Sequence, residues 1–468
     1  MKNFSDFIAE ISSWLWGYPL LILLFGTHIF LTFRLGFIQR HLGKAIRLSV
    51  TRDKESQGDV SQFSALATAL AATIGTGNIV GVATAIELGG PGAILWTWIA
   101  GILGISTKYA EGLLALKYRV KRSDGSIAGG PMYYLHYGLK NKKAGKILGI
   151  LFAVFAAMAA FGLGSSAQSN SIKDAVFTTF GFAEETNIFG LIVPTKILIG
   201  IVLAFFVGLV IVGGIKSIAR VSQNVVPFMA CFYVAGCLWI LIAGYETLWD
   251  SIKVIFSQAF SVEAVGGGAA GSVIMLAARY GVSRGLFSNE SGLGSAAIVA
   301  AAARTRNPVR QALVSSSGTF WDTVVICALT GLIIVNTGAY KSGFSGFNIT
   351  RQAFAEIPFG EIMLGFALLM FAFTTIIGWS YYAEKSIEYL FGRKAILPYK
   401  VVFLAMVFVG AVFSINLIWN FADITNGLMA VPNLVALLLL SGVIAAETKK
   451  YLKNNNINKH SEEKIIEQ

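Results

Sequence analysis

Apolar segments of about 20 residues with few or no charged side chains recur along the whole chain of 468 residues. A helix of that length, with a rise of about 1.5 Å per residue, crosses the hydrocarbon core of a bilayer. The composition agrees, because 55% of the residues are hydrophobic and only 13% are charged. These proportions exclude an ordinary soluble protein and predict an all-α polytopic membrane protein.

The basic residues are unevenly distributed along the chain. Most of the 37 Lys and Arg residues lie in alternate connections between the apolar segments, as in 34–54, 108–146 and 304–310. This positive-inside pattern argues against binding of nucleic acid, despite the net charge of +12. It predicts a multi-pass protein of a bacterial or archaeal-type cell membrane, with the N-terminus outside and the tail 448–468 in the cytoplasm. The tail is polar and is expected to be disordered.

Eleven transmembrane helices are predicted, and the first of them is a retained helix because no cleavage motif follows it. After the leading segment 1–60, five spans fill 61–245 and five fill 267–447, with an amphipathic external connection at 246–266. Because five is odd, the second group must cross the membrane in the opposite sense to the first, which indicates an inverted repeat. The spans are predicted at 14–33, 61–88, 93–116, 147–168, 195–215, 225–245, 267–303, 311–336, 359–382, 397–418 and 425–447.

The stretch Ala71 to Gly81, AATIGTGNIVG, places three glycines and several polar residues inside the second apolar span. Glycine weakens a helix interior by up to about 1 kcal/mol relative to alanine, and Thr and Asn offer the backbone competing hydrogen bonds. One interpretation is a helix broken at the middle of the membrane, whose free carbonyls and amides bind a cation and a carboxylate. The other is close packing of two helices through the small residues Gly77 and Gly81.

A second polar and glycine-rich stretch, FSNESGLGS at 287–295, interrupts the seventh span. The seventh span is the first span of the second half, so the two interruptions occupy corresponding positions. Paired interruptions of this kind indicate the midplane binding site of a transporter. They favour broken helices over close packing.

Four motifs identify a family resemblance: ATIGTGNIVGVATAI followed by GGPGA, then GGPMYYL, GVSRGLFSNESGLGS and TTIIGWSYYAEK. In this order they resemble the signatures of the alanine or glycine:cation symporter family, and the resemblance covers residues 1 to 450. It implies a LeuT-type, APC-like fold with one leading helix and a five-plus-five inverted repeat. It also implies import of a small neutral amino acid, alanine or glycine, coupled to sodium.

The resemblance implies a substrate site built from both interruptions. The first break would bind the carboxylate through backbone amides, and an aromatic ring of the ninth span would close the pocket. That ring, Trp379, could instead be an interfacial or core aromatic residue. The implied substrate residues are Thr76, Gly77, Asn78, Gln168, Phe287, Asn289, Ser291, Gly292 and Trp379.

The resemblance also implies a sodium site beside the first break. It would use the carbonyls of Ala71 and Ile74, a carbonyl near Phe371, and the hydroxyls of Thr374 and Thr375. The alternative is that the two threonines hydrogen-bond back to their own helix, which is common in membranes. Sodium is the co-transported ion, and no organic cofactor is expected.

Charged residues inside a membrane are costly and usually functional. We expect Asp322 in the eighth span to pair with Arg284 or Arg279 in the seventh, and Glu290 to tie the second break together. The three cysteines lie in apolar segments without metal-ligand spacing, so they are expected to be small core residues.

An enzyme is not expected, because the sequence has no G-x-S-x-G motif and its four histidines are scattered. A proton-coupled amino-acid symporter of the same fold is the alternative, and an amino-acid-gated channel is a more remote one. Two midplane breaks suit alternating access better than a continuous pore. The expected partners are a small neutral amino acid and the lipid bilayer, without nucleic acid.

Overall fold

The computed structural model describes residues 2–51, 56–188, 190–260, 272–413, 416–454, 456–461 and 465–467. Most of these residues are helical, in agreement with the predicted class. The helices are α1 Lys2–Leu15, α2 Tyr18–Arg34, α3 Leu42–Ser49, α4 Gln62–Thr73, α5 Val82–Gly89, α6 Ala93–Lys117, α7 Pro131–Gly138, α8 Lys142–Phe161, α9 Ala167–Phe180, α10 Thr195–Val212, α11 Gly214–Ala243, α12 Tyr245–Ala259, α13 Ser272–Asn289, α14 Ser295–Ala301, α15 Pro308–Thr319, α16 Ala328–Asn336, α17 Phe347–Phe354, α18 Gly360–Phe391, α19 Ile396–Val412, α20 Asn416–Leu439 and α21 Ser441–Thr448.

Wider π-helical turns join several of these helices, and short 3₁₀ turns lie in the connections. A π turn holds one more residue than an α turn and is common at functional sites. The π turns are Gly77–Gly81, Gly162–Ser166, Phe320–Cys327 and Lys449–Lys453, and the 3₁₀ turns are Ile38–His41, Ala339–Lys341 and Arg393–Ala395.

Short strands lie in two of the connections between helices, and they leave the predicted all-α class unchanged. The strands β1 Val120–Lys121 and β2 Ile127–Ala128 pair antiparallel, and β3 Glu185–Ile188 pairs antiparallel with β4 Leu191–Pro194. Outside the helices these segments have no intrahelical partners for their backbone amides and carbonyls, and pairing as strands satisfies those groups.

Nine helices within the described ranges are long and apolar enough to cross a membrane, or ten when the bent pair Gln62–Thr73 and Gly77–Gly89 counts as one span. The first candidate span begins at Asp6, earlier than predicted, because α1 and α2 are nearly continuous. The predicted span 267–303 corresponds to α13 and α14, but its first residues lie outside the described ranges.

The broken and central helices form the core, while α10 and α19 lie at the periphery. In α6, 83% of the apolar window is buried, compared with 28% in α10 and 22% in the span that contains α19. Glycines allow the central helices to approach closely: a Cβ at Gly281 would lie 2.2 Å from Ala93 O, and one at Gly378 would lie 2.9 Å from Ala72 N. Helices in membranes associate closely through such small residues.

We call the end of the bundle that carries 34–51, 56–59, 117–146 and 302–310 the basic end. Here the segment before α4 is hydrogen-bonded to the end of α14. The amides of Asp59 and Val60 both donate to Ala302 O, and Arg304 N donates to Val60 O at 2.8 Å. The buried guanidinium of Arg119 donates to Ala303 O at 3.0 Å. These bonds close the bundle at the basic end.

The prediction of a disordered tail is wrong for the described tail residues. Asn307 Nδ2 donates to both Ile457 O and Lys459 O at 2.9 Å. The strand β5, Ile466–Glu467, adds parallel to β1. The physical reason is that the loop before α15 offers side-chain donors to the tail backbone, a contact that polar composition does not reveal.

The cysteine prediction holds for two of three residues. Cys237 and Cys327 are buried, whereas Cys231 is exposed. The expectation of a core position is therefore wrong for Cys231, because it lies on the outer side of α11.

Candidate functional site

The first predicted break is present in the structure. α4 ends at Thr73, and Ile74 has extended backbone angles, φ −75° and ψ 94°. The helical path resumes in the π turn Gly77–Gly81, and the two halves are bent by 54°. The unwound residues lie inside the bundle and not towards lipid, as a membrane requires of non-helical backbone.

Asn78 holds the first break in place. Its Oδ1 accepts a hydrogen bond from Gly75 N at 2.8 Å, and its Nδ2 donates to Asp322 Oδ1, also at 2.8 Å. Both polar atoms of this predicted substrate residue are therefore engaged within the protein.

Asp322 does not pair with either arginine, so that prediction is wrong. Its carboxylate accepts hydrogen bonds from Asn78, from Ser288 Oγ at 3.0 Å and from Thr323 Oγ1 at 2.7 Å. The guanidinium of Arg284 lies over the ring of Phe287, at 5.8 Å. Neutral donors from three segments satisfy the buried carboxylate, which makes a cationic partner unnecessary.

Two carbonyls at the end of α4 lack their usual helical donors. Gly75 N, the normal partner of Ala71 O, donates to Asn78 instead. Among the residues that the structure describes, Ile74 O accepts only a long contact of 3.4 Å from Thr375 Oγ1. The C-terminal end of a helix carries partial negative charge, so these carbonyls can bind a cation.

The two predicted threonine ligands differ in their surroundings. Thr375 Oγ1 donates to Phe371 O at 2.9 Å and faces Ile74 O. Thr374 Oγ1 also donates to Phe371 O, at 3.0 Å, but its other neighbour is Met229 Sδ. The structure thus brings Ile74, Phe371 and Thr375 together and directs Thr374 towards α11.

Gln168, on α9, lies beside the first break. A Cβ at Gly75 would be 2.5 Å from Thr375 Oγ1 and 3.6 Å from Gln168 Oε1. The oxygen Gln168 Oε1 is buried and accepts no hydrogen bond from the described residues, while its Nε2 donates to Leu163 O at 3.3 Å. This oxygen can accept a donor from a ligand at the break.

A cavity of about 450 Å³ reaches the first break from the end opposite the basic end. Thr76 and Gly77 lie at its inner end, and Phe287 and Leu368 form apolar parts of its wall. It extends to the exposed side chain of Asp174. A second cavity of about 210 Å³ shares Phe287, Arg284 and Asp423 with it. The described part of the bundle is therefore accessible from this end and closed at the basic end.

The second predicted break is also present. α13 ends at Asn289, Glu290 has a left-handed φ of 55°, and Gly292 and Gly294 have φ of 94° and 81°. The glycines adopt this region without strain, whereas Glu290 does so against its preference. α14 starts at Ser295.

Side chains satisfy the unwound residues of this second break. Asn289 Oδ1 accepts from Ser291 N at 2.8 Å, and its Nδ2 donates to Thr323 Oγ1 at 3.0 Å. Ser291 Oγ pairs with Thr319 Oγ1 at 3.0 Å. The predicted substrate residues Asn289 and Ser291 are thus hydrogen-bonded inside the bundle and do not line either cavity.

Glu111, on α6, is central to the second break and was not among the predicted residues. Its Oε1 accepts hydrogen bonds from Gly292 N and Gly294 N, both at 2.9 Å, and from Asn433 Nδ2 at 2.7 Å. Lys108, also buried, lies one helical turn before it. The sequence does contain a signal for this position, because Lys108 and Glu111 are two charges inside the predicted span 93–116. The prediction missed it because Lys108 was grouped with the basic loop that follows the span.

Glu290 ties the second break together as predicted. Its carboxylate accepts from the hydroxyl of Ser295, across the break, and from Trp379 Nε1 at 3.0 Å. Trp379 is completely buried and packs against Gly164, where a Cβ would lie 2.6 Å from that of Trp379. It does not line the cavity that reaches Thr76.

The two breaks lie side by side. A Cβ at Gly77 would be 3.5 Å from Ser288 Cα and 3.8 Å from Phe287 Cδ1. Asn78 from the first break and Ser288 from the second donate to the same carboxylate, that of Asp322. The two interruptions are therefore close enough to form one site, as the sequence predicts.

Comparison with known proteins gives a match over nearly the whole chain. The family model described as the sodium:alanine symporter family matches residues 1–465. The sodium/alanine symporter AgcS of Methanococcus maripaludis is 48% identical over 96% of this chain and 97% of its own length. The probable sodium/glutamine symporter GlnT of Bacillus subtilis is 37% identical over 98% and 93%. The putative sodium/proton-dependent alanine carrier protein YrbD of Bacillus subtilis is 36% identical over 96% and 92%.

Proposed function

The chain belongs to the sodium:alanine symporter family, and we propose that it imports a small neutral amino acid, alanine or glycine, by alternating access driven by the sodium gradient. It is a transporter and not an enzyme. The observation that carries the proposal is the cavity that ends at Thr76 and Gly77, because it leads directly to the free helix ends of the first break.

A zwitterion matches the two ends of the first break. The amides of Thr76 and Gly77 begin the helical segment after the break, where no preceding turn supplies acceptors, so they suit the substrate carboxylate. Gln168 Oε1 is a buried free acceptor near Gly75 and suits the ammonium group. Opposite helix ends a few ångströms apart bind both charges without a charged side chain.

The remaining predicted residues act around this position. Phe287 lines both cavities and would limit the size of the substrate side chain. Asn78, Asn289, Ser291, Gly292 and Trp379 would hold the two breaks in the geometry that the substrate requires.

Sodium would bind between the first break and α18. Its ligands would be the carbonyls of Ala71 and Ile74, which lack regular helical donors, the carbonyl of Phe371, and the hydroxyl of Thr375. Thr374, whose hydroxyl is directed towards Met229 Sδ, would lie outside this set of ligands. Carbonyl and hydroxyl oxygens are the ligands that hard cations prefer.

The adjacent breaks support a LeuT-type architecture, with eleven spans arranged as a leading helix and a five-plus-five inverted repeat of 61–245 and 267–447. The N-terminus would then be outside and the basic end cytoplasmic, as the positive-inside rule requires. The accessible cavity at the opposite end corresponds to a state open to the outside. Release of substrate would require separation of Val60 and Ala302 at the basic end.

Uptake into proteoliposomes tests the proposal. The expected result is saturable uptake of labelled alanine under an inward sodium gradient, lost when the gradient is dissipated or when lithium or choline replaces sodium. Unlabelled glycine should compete well, and glutamine should compete poorly because Phe287 narrows the cavity.

Two other outcomes would contradict sodium coupling. Uptake that follows a pH gradient without sodium would establish the proton-coupled alternative. The relative YrbD is named as a putative sodium/proton-dependent alanine carrier, which makes this alternative worth testing. Non-saturable flux that needs no gradient would establish the channel alternative.

A further inference from the structure

A long apolar groove lies between α3, α4, α11 and the π turn Phe320–Cys327, apart from the substrate cavity. It encloses about 350 Å³. Leu66 and Leu70 form its α4 wall, and Val226 and Val234 form its α11 wall. A polar solute such as an amino acid gains nothing from such walls, since burial of an unpaired charge is costly. The groove therefore belongs to a different ligand.

The groove opens sideways, towards the surface that faces lipid. Val50 on its rim is 70% exposed and Trp321 is 38% exposed. Pro227 and Cys231, on the α11 side, are exposed as well. Exposed apolar residues in a membrane-spanning region contact hydrocarbon. The species that can enter from that side is an acyl chain of a membrane lipid.

The length of the groove corresponds to one leaflet. Along α4 it extends from Phe63 to Ile74, which is about 16 Å at a rise of 1.5 Å per residue. Half of the hydrocarbon core is about 15 Å thick. The groove thus runs from the basic end to the middle of the membrane, where Ile74 begins the first break.

Two arginines lie on the helices that form the α3 and α11 walls of the groove. Arg220 precedes Pro227 by two turns of α11 and lies on the same face, and Arg47, on α3, lies three residues before Val50, which directly follows α3. Both guanidinium groups belong to exposed residues. Arginine forms bidentate hydrogen bonds with phosphate, and basic clusters next to a membrane attract anionic lipids.

We propose that the groove binds one acyl chain of an anionic phospholipid from the leaflet at the basic end, with its phosphate between Arg47 and Arg220. The chain packs against the side chain of Ile74, whose carbonyl faces Thr375. The bound lipid therefore packs against the first break on the side opposite Thr375. This site goes beyond the proposed transport function and does not depend on it.

Quenching of Trp321 by brominated acyl chains tests the site directly. The full-length protein is placed in phosphatidylcholine bilayers that contain a fixed fraction of brominated phosphatidylglycerol or, in parallel, brominated phosphatidylcholine. Subtraction of the Trp321→Phe signal isolates this indole. We expect lipid association at Trp321 to favour the anionic lipid. Arg47→Gln and Arg220→Gln should each reduce that preference about fivefold, since one basic residue contributes about 1 kcal/mol. Lys394→Gln, an exposed charge at the same end, is the matched control and should change nothing.

A second variant tests occupancy of the groove itself. Ala230→Phe places a ring in the groove and should remove the preferential quenching of Trp321, whereas Val202→Phe, on the lipid-facing surface of α10, should not. Equal quenching by both brominated lipids in the parent protein would overturn the proposal, as would a preference that persists in Ala230→Phe. Because the readout is fluorescence, a failure of transport does not affect it.

Discussion

In the first broken helix, Ala71 O lacks its helical donor, and the amides of Thr76 and Gly77 beside the cavity have no acceptor among the described residues. In the second, every unwound amide is hydrogen-bonded. The amides of Glu290 and Leu293 donate to backbone carbonyls. Those of Ser291, Gly292 and Gly294 donate to side chains. In the first break, Gly75 N donates to Asn78 Oδ1, so Ala71 O loses its usual helical donor. The two interruptions look alike in sequence but are satisfied differently.

This difference separates two roles that a broken helix can have. A free helix end inside a membrane protein costs several kcal/mol unless a ligand completes it. A fully bonded one is a rigid support. The first break is therefore the place where substrate and sodium gain binding energy, and the second break holds Ser288, and with it Asp322, against the first.

The largest expected effect comes from the support of the second break. Glu111→Ala leaves the amides of Gly292 and Gly294 without an acceptor and removes one of the two hydrogen bonds that Asn433 Nδ2 donates. Each buried unpaired donor costs about 1–3 kcal/mol, so the loss is about 3 kcal/mol or more. We expect a fall in Tm of about 3 °C or more and no measurable uptake. Glu111→Gln keeps one acceptor oxygen and should retain part of the stability.

The matched control is Glu246→Ala, at an exposed position on α12, which should leave Tm and uptake unchanged. If Glu111→Ala folds and transports like the parent protein, the second break is not held by this carboxylate, and the comparison between the two breaks fails.

The next effect tests the open space of the first break. In Gly75→Ala the new Cβ would lie 2.5 Å from Thr375 Oγ1, closer than van der Waals contact permits. Since Thr375 is short and branched, it can avoid the clash only by turning away from Ile74. We expect uptake at limiting substrate to fall by at least about tenfold, for a misplacement that costs about 1.4 kcal/mol or more.

Gly26→Ala, on α2, is the control for the loss of a glycine, because a Cβ there meets no atom within 4 Å. It should be neutral. Normal sodium-dependent uptake by Gly75→Ala would mean that Thr375 and Gln168 do not converge on a ligand at this glycine.

The sequence predicted both breaks, because glycine and hydrogen-bonding side chains act on the local backbone wherever the chain lies. It did not predict what holds them. Glu111 and Gly292 are 181 residues apart, and Glu111 and Asn433 are 322 apart. The pairing of Asp322 with arginine failed for the same reason: opposite charge along the sequence does not reveal that Asn78, Ser288 and Thr323 already satisfy the carboxylate.

A smaller effect distinguishes the two threonines of α18. Thr375→Val removes the hydroxyl that faces Ile74 O, whereas Thr374→Val removes one that faces Met229. We expect the sodium concentration for half-maximal uptake to rise about tenfold or more in Thr375→Val, since a bond to a charged group is worth about 1.5 kcal/mol or more. It should change little in Thr374→Val.

Reciprocal coupling provides the check. Substrate affinity at limiting sodium should fall in Thr375→Val by the same factor as sodium affinity, and high sodium should restore it. Unchanged sodium dependence in both variants would show that the hydroxyls only bond back to Phe371 O and that the ion binds elsewhere.

The smallest expected effect concerns Trp379, which the sequence predicted to close the substrate pocket. Trp379→Phe keeps an aromatic ring against Gly164 but deletes the N–H that donates to Glu290 Oε1. The loss of one bond to a buried carboxylate costs about 1–3 kcal/mol. In a chain of this size that corresponds to a decrease in Tm of about 1–3 °C.

Because the indole of Trp379 is buried behind the second break and does not line the cavity, the order of preference among alanine, glycine and leucine should not change. Phe287→Leu is the matched variant on the cavity side: the smaller side chain enlarges the cavity beside Gly77 and should improve competition by leucine, with a change of about 1–3 kcal/mol for a methylene-sized difference. The measurement is competition by leucine for alanine uptake in both variants, together with Tm. If Trp379→Phe admits leucine and Phe287→Leu does not, the second break lines the pocket and is more than a support, and the distinction between an open first break and a bonded second break is wrong.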